Sequence, residues 1–324
     1  MARKRELETS RTAAPRAIPS PQQIAVEGSD DRSISKPSAG DQISFAPVSG
    51  LVIVATPIGN AGDITLRALD VLRRVHCIAC EDTRVTGKLM ARYGIATPLL
   101  AYHEHNAQRM RPVLLERLRR GETIALVSDA GTPLISDPGY KLVRAAIEAG
   151  IPVTALPGAS AALAALVLSG LPTARFFFAG FLPPRSAARR AELTELAAIP
   201  ATLIFFESAG RLAATLADMA SVWGARDAAV ARELTKLYEE IRRGTVAELA
   251  EHYATADRPK GEIVIVIGPP AAAVEASDAT IDDALRAALA NASLRDAVAA
   301  VAATLGAPRR RVYARALALA GSKP

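Results

Sequence analysis

TIALVSDAGTPLISDPGYKLVRAAIEAGIPVTALPGAS, residues 123–160, reads as strand, loop, helix, strand and loop in succession. TIALVS is a short apolar run of strand length, SDAGTPLISDPG mixes glycine, proline and small polar residues, YKLVRAAIEAG is amphipathic, and PVTALP begins a second strand. Strands joined through a helix imply parallel pairing, because the helix supplies the long crossover that parallel strands need. Upstream the same texture appears in LVIVA (51–55), ITLRALDVLRRV (64–75) and HCIAC (76–80). Downstream a second series begins near Arg175. FFFAGF, ATLIFF, AAVARE and EIVIVIG read as strands, separated by the helical ESAGRLAATLADMASVWG and VAELAEHYATA.

The expected architecture is therefore α/β in two domains, residues 49–171 and 172–272, with the boundary at residues 170–173. Residues 1–48 are rich in Ala, Pro, Ser and charge without an apolar period, and are expected to be a disordered extension. Residues 276–324 read as three helices, IDDALRAALA, SLRDAVAAVAATLG and RRRVYARALALA, with Gly306 and Pro308 between the last two. This small helical domain fits a helix-turn-helix nucleic-acid element or a plain capping bundle equally well.

Composition narrows the function. The chain has 324 residues, half of them hydrophobic, but only 4% aromatic, which argues against an RNA module built on base stacking. A net charge of +6 suits a polyanionic partner. The two cysteines, Cys77 and Cys80, give no disulfide framework and point to a reducing compartment, the cytoplasm. They are three apart in a strand and so face opposite sides, which fits burial rather than a shared metal. No secretory signal is expected at the N-terminus. The uncharged stretch 149–174 is broken by Pro152, Pro157, Gly158, Gly170 and Pro172, so no membrane span is expected.

The 21 glycines include no G-x-G, and G-x-x-x-x-G-K-[ST] is missing, so dinucleotide fingerprints and P-loops are excluded. Three other loops follow strands: TPIGN (56–60), SDAGTPLISDPG (128–139) and PGAS (157–160). In open α/β sheets ligands sit beyond the carboxyl ends of strands. Gly59, Gly131 and Gly158 would admit a ligand close to the backbone, and Pro57, Pro133 and Pro157 would stiffen the loops.

These loops, together with ACEDTR (79–84), YHEHN (102–106), FFES (205–208), RELTKLYEE (232–240) and KGEIVIVIG (260–268), resemble the small-subunit ribosomal RNA methyltransferase I family, cytidine-2'-O-methyltransferases within the tetrapyrrole-methylase superfamily. The likeness runs in order over about residues 50–268, and the tail resembles that family's appended helical domain. It implies S-adenosylmethionine in a cleft between two α/β domains, a homodimer, and 16S ribosomal RNA within the small subunit as substrate. Carried over motif by motif, Pro57, Gly59, Ala130, Gly131, Thr132, Ile135, Pro157, Gly158, Ser160, Ala161, Phe206 and Gly261 would hold the cofactor. Two departures stand out: Ala209 and Gly210 replace an expected Pro-His, and Ala107 replaces the glutamate of an expected HNE, so no catalytic role is carried over there.

Methyl transfer from a sulfonium depends on aligning two substrates, and a weakly nucleophilic ribose hydroxyl gains from a nearby base or cation. Catalytic candidates are Glu81, Asp82 and Arg84 after HCIAC, with Asp82 or Thr83 alternatively a helix N-cap, and Glu233 and Lys236 from the second domain. Substrate contacts are expected from His103, Glu104, Asn106, Glu207, Arg211 and Arg232, the cations on RNA phosphates unless they are merely solvated. No metal is expected. The rival readings are a tetrapyrrole C-methyltransferase, whose carboxylate-rich substrate would also suit basic residues, and a catalytically silent RNA-binding or assembly protein.

Overall fold

The structure is a computed structural model that describes residues 48–271 and 276–321. The expected extension over residues 1–48 lies outside the described residues, Val48 excepted. In the first half, strands β1 (Leu51–Val54), β2 (Cys77–Cys80), β3 (Leu99–Ala101), β4 (Ile124–Val127) and β5 (Val153–Leu156) form one sheet in the order β3-β2-β4-β1-β5, parallel throughout. Its central strands are buried on both faces, which is why they read as unbroken apolar runs. Val52, Val54, Ile78 and Cys80 meet helices α1 (Leu66–Arg74) and α2 (Thr83–Arg92). Leu51, Ile53, Cys77 and Ala79 face α3 (Ala107–Arg119) and α4 (Tyr140–Glu148) on the other side. The two cysteines therefore sit in different cores, as free thiols.

The helices are short and well punctuated. Thr65 caps α1 by accepting from the Ala68 N–H, and Asp82 caps α2 by accepting from the Arg84 N–H. Helix α5 (Ala161–Ser169) is capped by Ser160 and ends at left-handed Gly170. It follows β5 in the chain but packs on the second sheet, where Ala162, Ala165 and Leu166 lie against Ile204, Ala231, Val264 and Val266. Small side chains on that face let the helix approach the sheet closely.

That second sheet runs β6 (Phe176–Phe181), β7 (Thr202–Ser208), β10 (Glu262–Ile267), β8 (Asp227–Arg232), β9 (Glu240–Thr245), in that order. It is mixed: β6 and β7 are parallel, whereas β10 is antiparallel to β7 and β8, and β8 is antiparallel to β9. Strand β9, EIRRGT, has no apolar alternation because it is an edge strand, and its arginines and glutamate guard an unpaired rim. The opposite face is covered by α6 (Ser186–Leu196), α7 (Leu212–Trp223) and α8 (Val246–Thr255), through Leu193, Leu216, Met219 and Leu249 among others.

The tail forms α9 (Asp278–Leu289), α10 (Leu294–Leu305) and α11 (Arg309–Gly321) around Ile281, Leu285, Val298, Val301 and Val312. Ser277 and Ser293 cap the first two, and Gly306 at φ +60 closes α10. Among the described residues no helix is long and apolar enough to cross a membrane.

Candidate active site

The chain leaves β1 toward β2 and leaves β4 toward β5, in opposite directions across the sheet, so the loops at these carboxyl ends part and leave a crevice. The loops after β1, β4 and β5 meet there and are stitched together. Thr56 and Gly131 exchange two backbone hydrogen bonds of 2.9 Å. The Thr56 hydroxyl donates to the Ser128 carbonyl at 3.0 Å, and the Thr132 hydroxyl donates to that of Ala159 at 3.0 Å. The second half closes the crevice with Phe206 and Glu207 of β7, Leu234 after β8, and Glu262, Ile263 and Val264 of β10. The result is a cleft of about 300 Å³ walled by both halves. Asn60 N–H donating to the Thr235 hydroxyl at 3.0 Å ties the first loop to the second half.

Four non-glycine residues among those described adopt positive φ: Leu134 (73°), Ser136 (64°), Glu233 (50°) and Thr235 (65°). All four lie in the two loops bordering this cleft. Strain of this kind persists where the surroundings enforce a functional geometry.

Seven of the twelve expected cofactor residues line the cleft: Ala130, Gly131, Thr132, Ile135, Ser160, Ala161 and Phe206. Pro57, Gly59, Pro157, Gly158 and Gly261 stand outside its lining. A Cβ on Gly59 would come within 2.5 Å of the Lys236 side chain, and one on Gly158 within 2.7 Å of Ala55 Cβ, so both glycines admit close packing of neighbouring segments. Gly261, at φ +95, leaves room for the Glu233 carboxylate.

The charged candidates are largely occupied by one another. Asp82 accepts from the Arg84 N–H at 2.8 Å and grips its guanidinium at 2.6 Å; these bonds to Arg84 hold its carboxyl down at about 2. Lys236 pairs with Glu233 at 2.8 Å and with Glu262 at 2.9 Å, forming a clasp at the cleft's edge. Arg232 is bound by Glu240 at 3.0 Å. Glu207 is buried and accepts from Ser208 N–H (2.7 Å) and the Thr215 hydroxyl (2.6 Å) beside Arg211 (3.3 Å). Arg211 in turn donates to the Leu182 carbonyl at 2.7 Å. Asn106 spends its amide on its own turn, accepting from His103 N–H at 3.0 Å and donating to the Ala101 carbonyl at 2.9 Å. Glu104 sits on the exposed crest of that turn. Beside it the buried Nδ1 of His103 has no hydrogen-bond partner among the described residues.

Carboxylates not singled out from the sequence complete the site. Asp129 and Asp137 line the cleft, and Glu81 lies near both. Burial, with Asp129 close by, raises the Glu81 carboxyl above its usual range. Ile58, Ser136, Phe181, Leu234, Glu262, Ile263 and Val264 were also missed as lining. Asp129 and Asp137 stand inside the quoted SDAGTPLISDPG, where turn chemistry masked them; the β10 residues carry no local signal beyond strand alternation.

Comparison with known proteins identifies the assembly. Residues 50–250 match the family model described as Tetrapyrrole (Corrin/Porphyrin) Methylases, and residues 275–320 match one described as RsmI C-terminal HTH domain. The chain is 52% identical over 270 residues to the ribosomal RNA small subunit methyltransferase I of Mesorhizobium japonicum, covering 83% of this chain and 92% of that protein. The chain belongs to the ribosomal RNA small subunit methyltransferase I family. Similar proteins of this family from Xylella fastidiosa (50% identity, 81% of this chain and 97% of that protein) and Escherichia coli O157:H7 (47%, 82% and 94%) match over nearly their full lengths. The fold is shared with diphthine synthase (TM-score 0.55, 18% identity, 67% of this chain, 89% of that one) and with cobalt precorrin-4 methyltransferase (0.52, 20%, 67%, 94%).

As a member of this methyltransferase family the protein uses S-adenosylmethionine. The cleft suits that donor. Ile58, Phe206, Leu234 and Val264 would offer apolar walls to a purine, the carboxylates of Asp129 and Glu262 would offer negative charge to a sulfonium and an ammonium, and Gly131 leaves its wall without a Cβ. S-adenosylmethionine would supply an electrophilic methyl group here, and the loops after β1, β4 and β5 would hold it in position.

Proposed function

We propose that the protein methylates the ribose 2'-hydroxyl of a cytidine in the decoding region of 16S ribosomal RNA, within the small ribosomal subunit. The observation that carries this reading is the near-full-length likeness, at about half identity, to proteins named ribosomal RNA small subunit methyltransferase I, tail helices included. A donor cleft walled by two halves supports it, since holding donor and acceptor in line accounts for much of the rate of such a transfer. A ribosomal substrate places the enzyme in the cytoplasm. The test is transfer of labelled methyl to small subunits that lack the modification, followed by nucleoside analysis. Label in 2'-O-methylcytidine is expected; label on a base, or none on RNA, would defeat the reading.

The tail helices are the expected RNA contact. Arg311 and Arg315 of α11 are held by Asp278 and Asp282 of α9, whereas Arg309 and Arg310 at the start of α11 are exposed, as is Tyr313. Arg309→Glu with Arg310→Glu should weaken subunit binding and lower the slope of log affinity against log salt by about 2, with donor affinity unchanged. An unaltered salt slope would place the RNA elsewhere.

Self-association into a homodimer is supported by apolar side chains left on the surface: Val167 of α5 is 71% exposed and Leu237 88%, with Phe176, Phe177 and Tyr238 also uncovered. Sedimentation should give twice the 34.0 kDa mass of one chain. A single-chain mass at micromolar concentration would refute the dimer.

A further inference from the structure

Among the carboxylates of the cleft, most are already committed. Glu207 is saturated by Ser208, Thr215 and Arg211, Glu262 is paired with Lys236, and Asp129 accepts from the Asp82 N–H at 3.0 Å. Asp137 differs: among the described residues neither a cation nor a backbone N–H binds its carboxylate, and only the Ser128 hydroxyl bears on it. It lines the same cleft as Ala130, Gly131, Thr132 and Ser160, the residues suited to the methyl donor.

The backbone holds this side chain in place by force. Leu134 and Ser136 just before it adopt left-handed φ of 73° and 64°, and Pro138 and Gly139 (φ 140°) follow. A Cβ on Gly139 would approach Leu126 Cδ2 to 2.9 Å, so the turn is packed tightly onto β4. This strained turn sets Asp137, half-buried, at the cleft wall. Glu81 from the end of β2 and Asp129 from the end of β4 face it, with the Ser128 hydroxyl beside them and His103 facing Glu81 from the turn before α3.

We propose that Asp137 is the catalytic residue that takes the proton from the acceptor hydroxyl, an inference that rests on the ribose methylation reading above. The hydroxyl oxygen forms a bond to the methyl carbon while the carbon–sulfur bond breaks and its electron pair stays on sulfur. The hydroxyl proton passes to the Asp137 carboxylate. A sulfonium and a carboxylate become a neutral thioether and a neutral acid, so charge balances and no further reactant is needed.

The surroundings equip Asp137 for this task. Burial, then the nearby Glu81 charge, push its carboxyl up to about 6, opposed by the Ser128 hydrogen bond and reinforced by Asp129. A base is most effective when its pKa lies near working pH. Below about 6 the group carries its proton and cannot accept another; above it the carboxylate is free to act, so transfer should rise with pH through that region.

The test is single-turnover methylation of undermodified small subunits across about pH 5 to 8, with donor affinity measured by calorimetry. Asp137→Asn should transfer at least about 100-fold more slowly, lose the inflection near pH 6 and bind the donor within about threefold of wild type. Asp137→Glu should recover at least about tenfold over the Asn variant. Asn-variant transfer within about fivefold of wild type, or a persisting inflection, would overturn the proposal. Loss of donor affinity in both variants would overturn it too, by assigning the side chain to holding the loop. Failure of the wild-type protein to label any ribosomal RNA would instead bring down the functional reading itself, and this inference with it.

Discussion

Gly131→Leu should leave the fold intact and remove donor binding. Gly131 sits at φ +79 with both of its backbone groups bonded to Thr56, so the residue cannot relax into a conformation that side chains prefer. An L-residue forced to stay there costs about 1–2 kcal/mol, a tolerable loss for a chain of this size. The larger effect is steric. A Cβ at this position would lie 3.4 Å from Ile58 Cγ2 and 3.9 Å from the Ala159 carbonyl, already in contact with the wall, so the rest of a leucine must extend into the cleft. Calorimetry should show donor affinity reduced by at least about 1000-fold, equivalent to about 4 kcal/mol. Affinity within tenfold of wild type would show that the donor binds away from this loop.

Glu207→Ala should be the most destabilising substitution around the site. Glu207 is 3% exposed, and its carboxylate accepts from Ser208 N–H and the Thr215 hydroxyl and forms an ion pair with Arg211. Removing it takes away the 3.3 Å ion pair of the buried Arg211 Nε, which has no hydrogen-bond partner among the described residues, and leaves an emptied cavity beside it. Breaking a buried pair from one side costs about 3–5 kcal/mol, and the partial exposure of Arg211 puts this case near the lower figure. Thermal unfolding should fall by roughly 10 °C. Glu207→Gln keeps the shape and one carbonyl acceptor and should lose about half as much. An unchanged transition in the Ala variant would mean that the pair with Arg211 does not form in solution.

The first half of the fold was legible because its physics is local. LVIVA, HCIAC and TIALVS read as buried strands since a parallel sheet covered by helices on both faces needs apolar residues at every position. The second half resisted in proportion to its dependence on neighbours. EIRRGT carries no strand signature and becomes β9 only because β8 lies beside it with an open edge. Helix α5 follows the first sheet in sequence but belongs to the core of the second, a placement set by the small faces of Ala162 and Ala165 meeting Val264 and Val266.

The site divides in the same way. Gly131 drew attention because a glycine in a loop after a strand suggests a ligand loop, and Thr132 and Ser160 came from the family resemblance; all three line the cleft. The roles of Arg211, Arg232 and Lys236 could not, because what a cation does depends on which carboxylate the fold delivers to it: Glu207, Glu240, or Glu233 with Glu262. Asp137 looked like part of a turn, and its interest arises only once Glu81 and Asp129 are brought beside it from two other strand ends.

Most direct is a crystal structure of the protein with the demethylated product of its donor. Density is expected between residues 130–132 and 160–161 on one side and Phe206 and Val264 on the other, touched by both halves of the chain. Product bound elsewhere, with these segments apart, would contradict the shared cleft on which donor binding, methyl transfer and the role of Asp137 all depend.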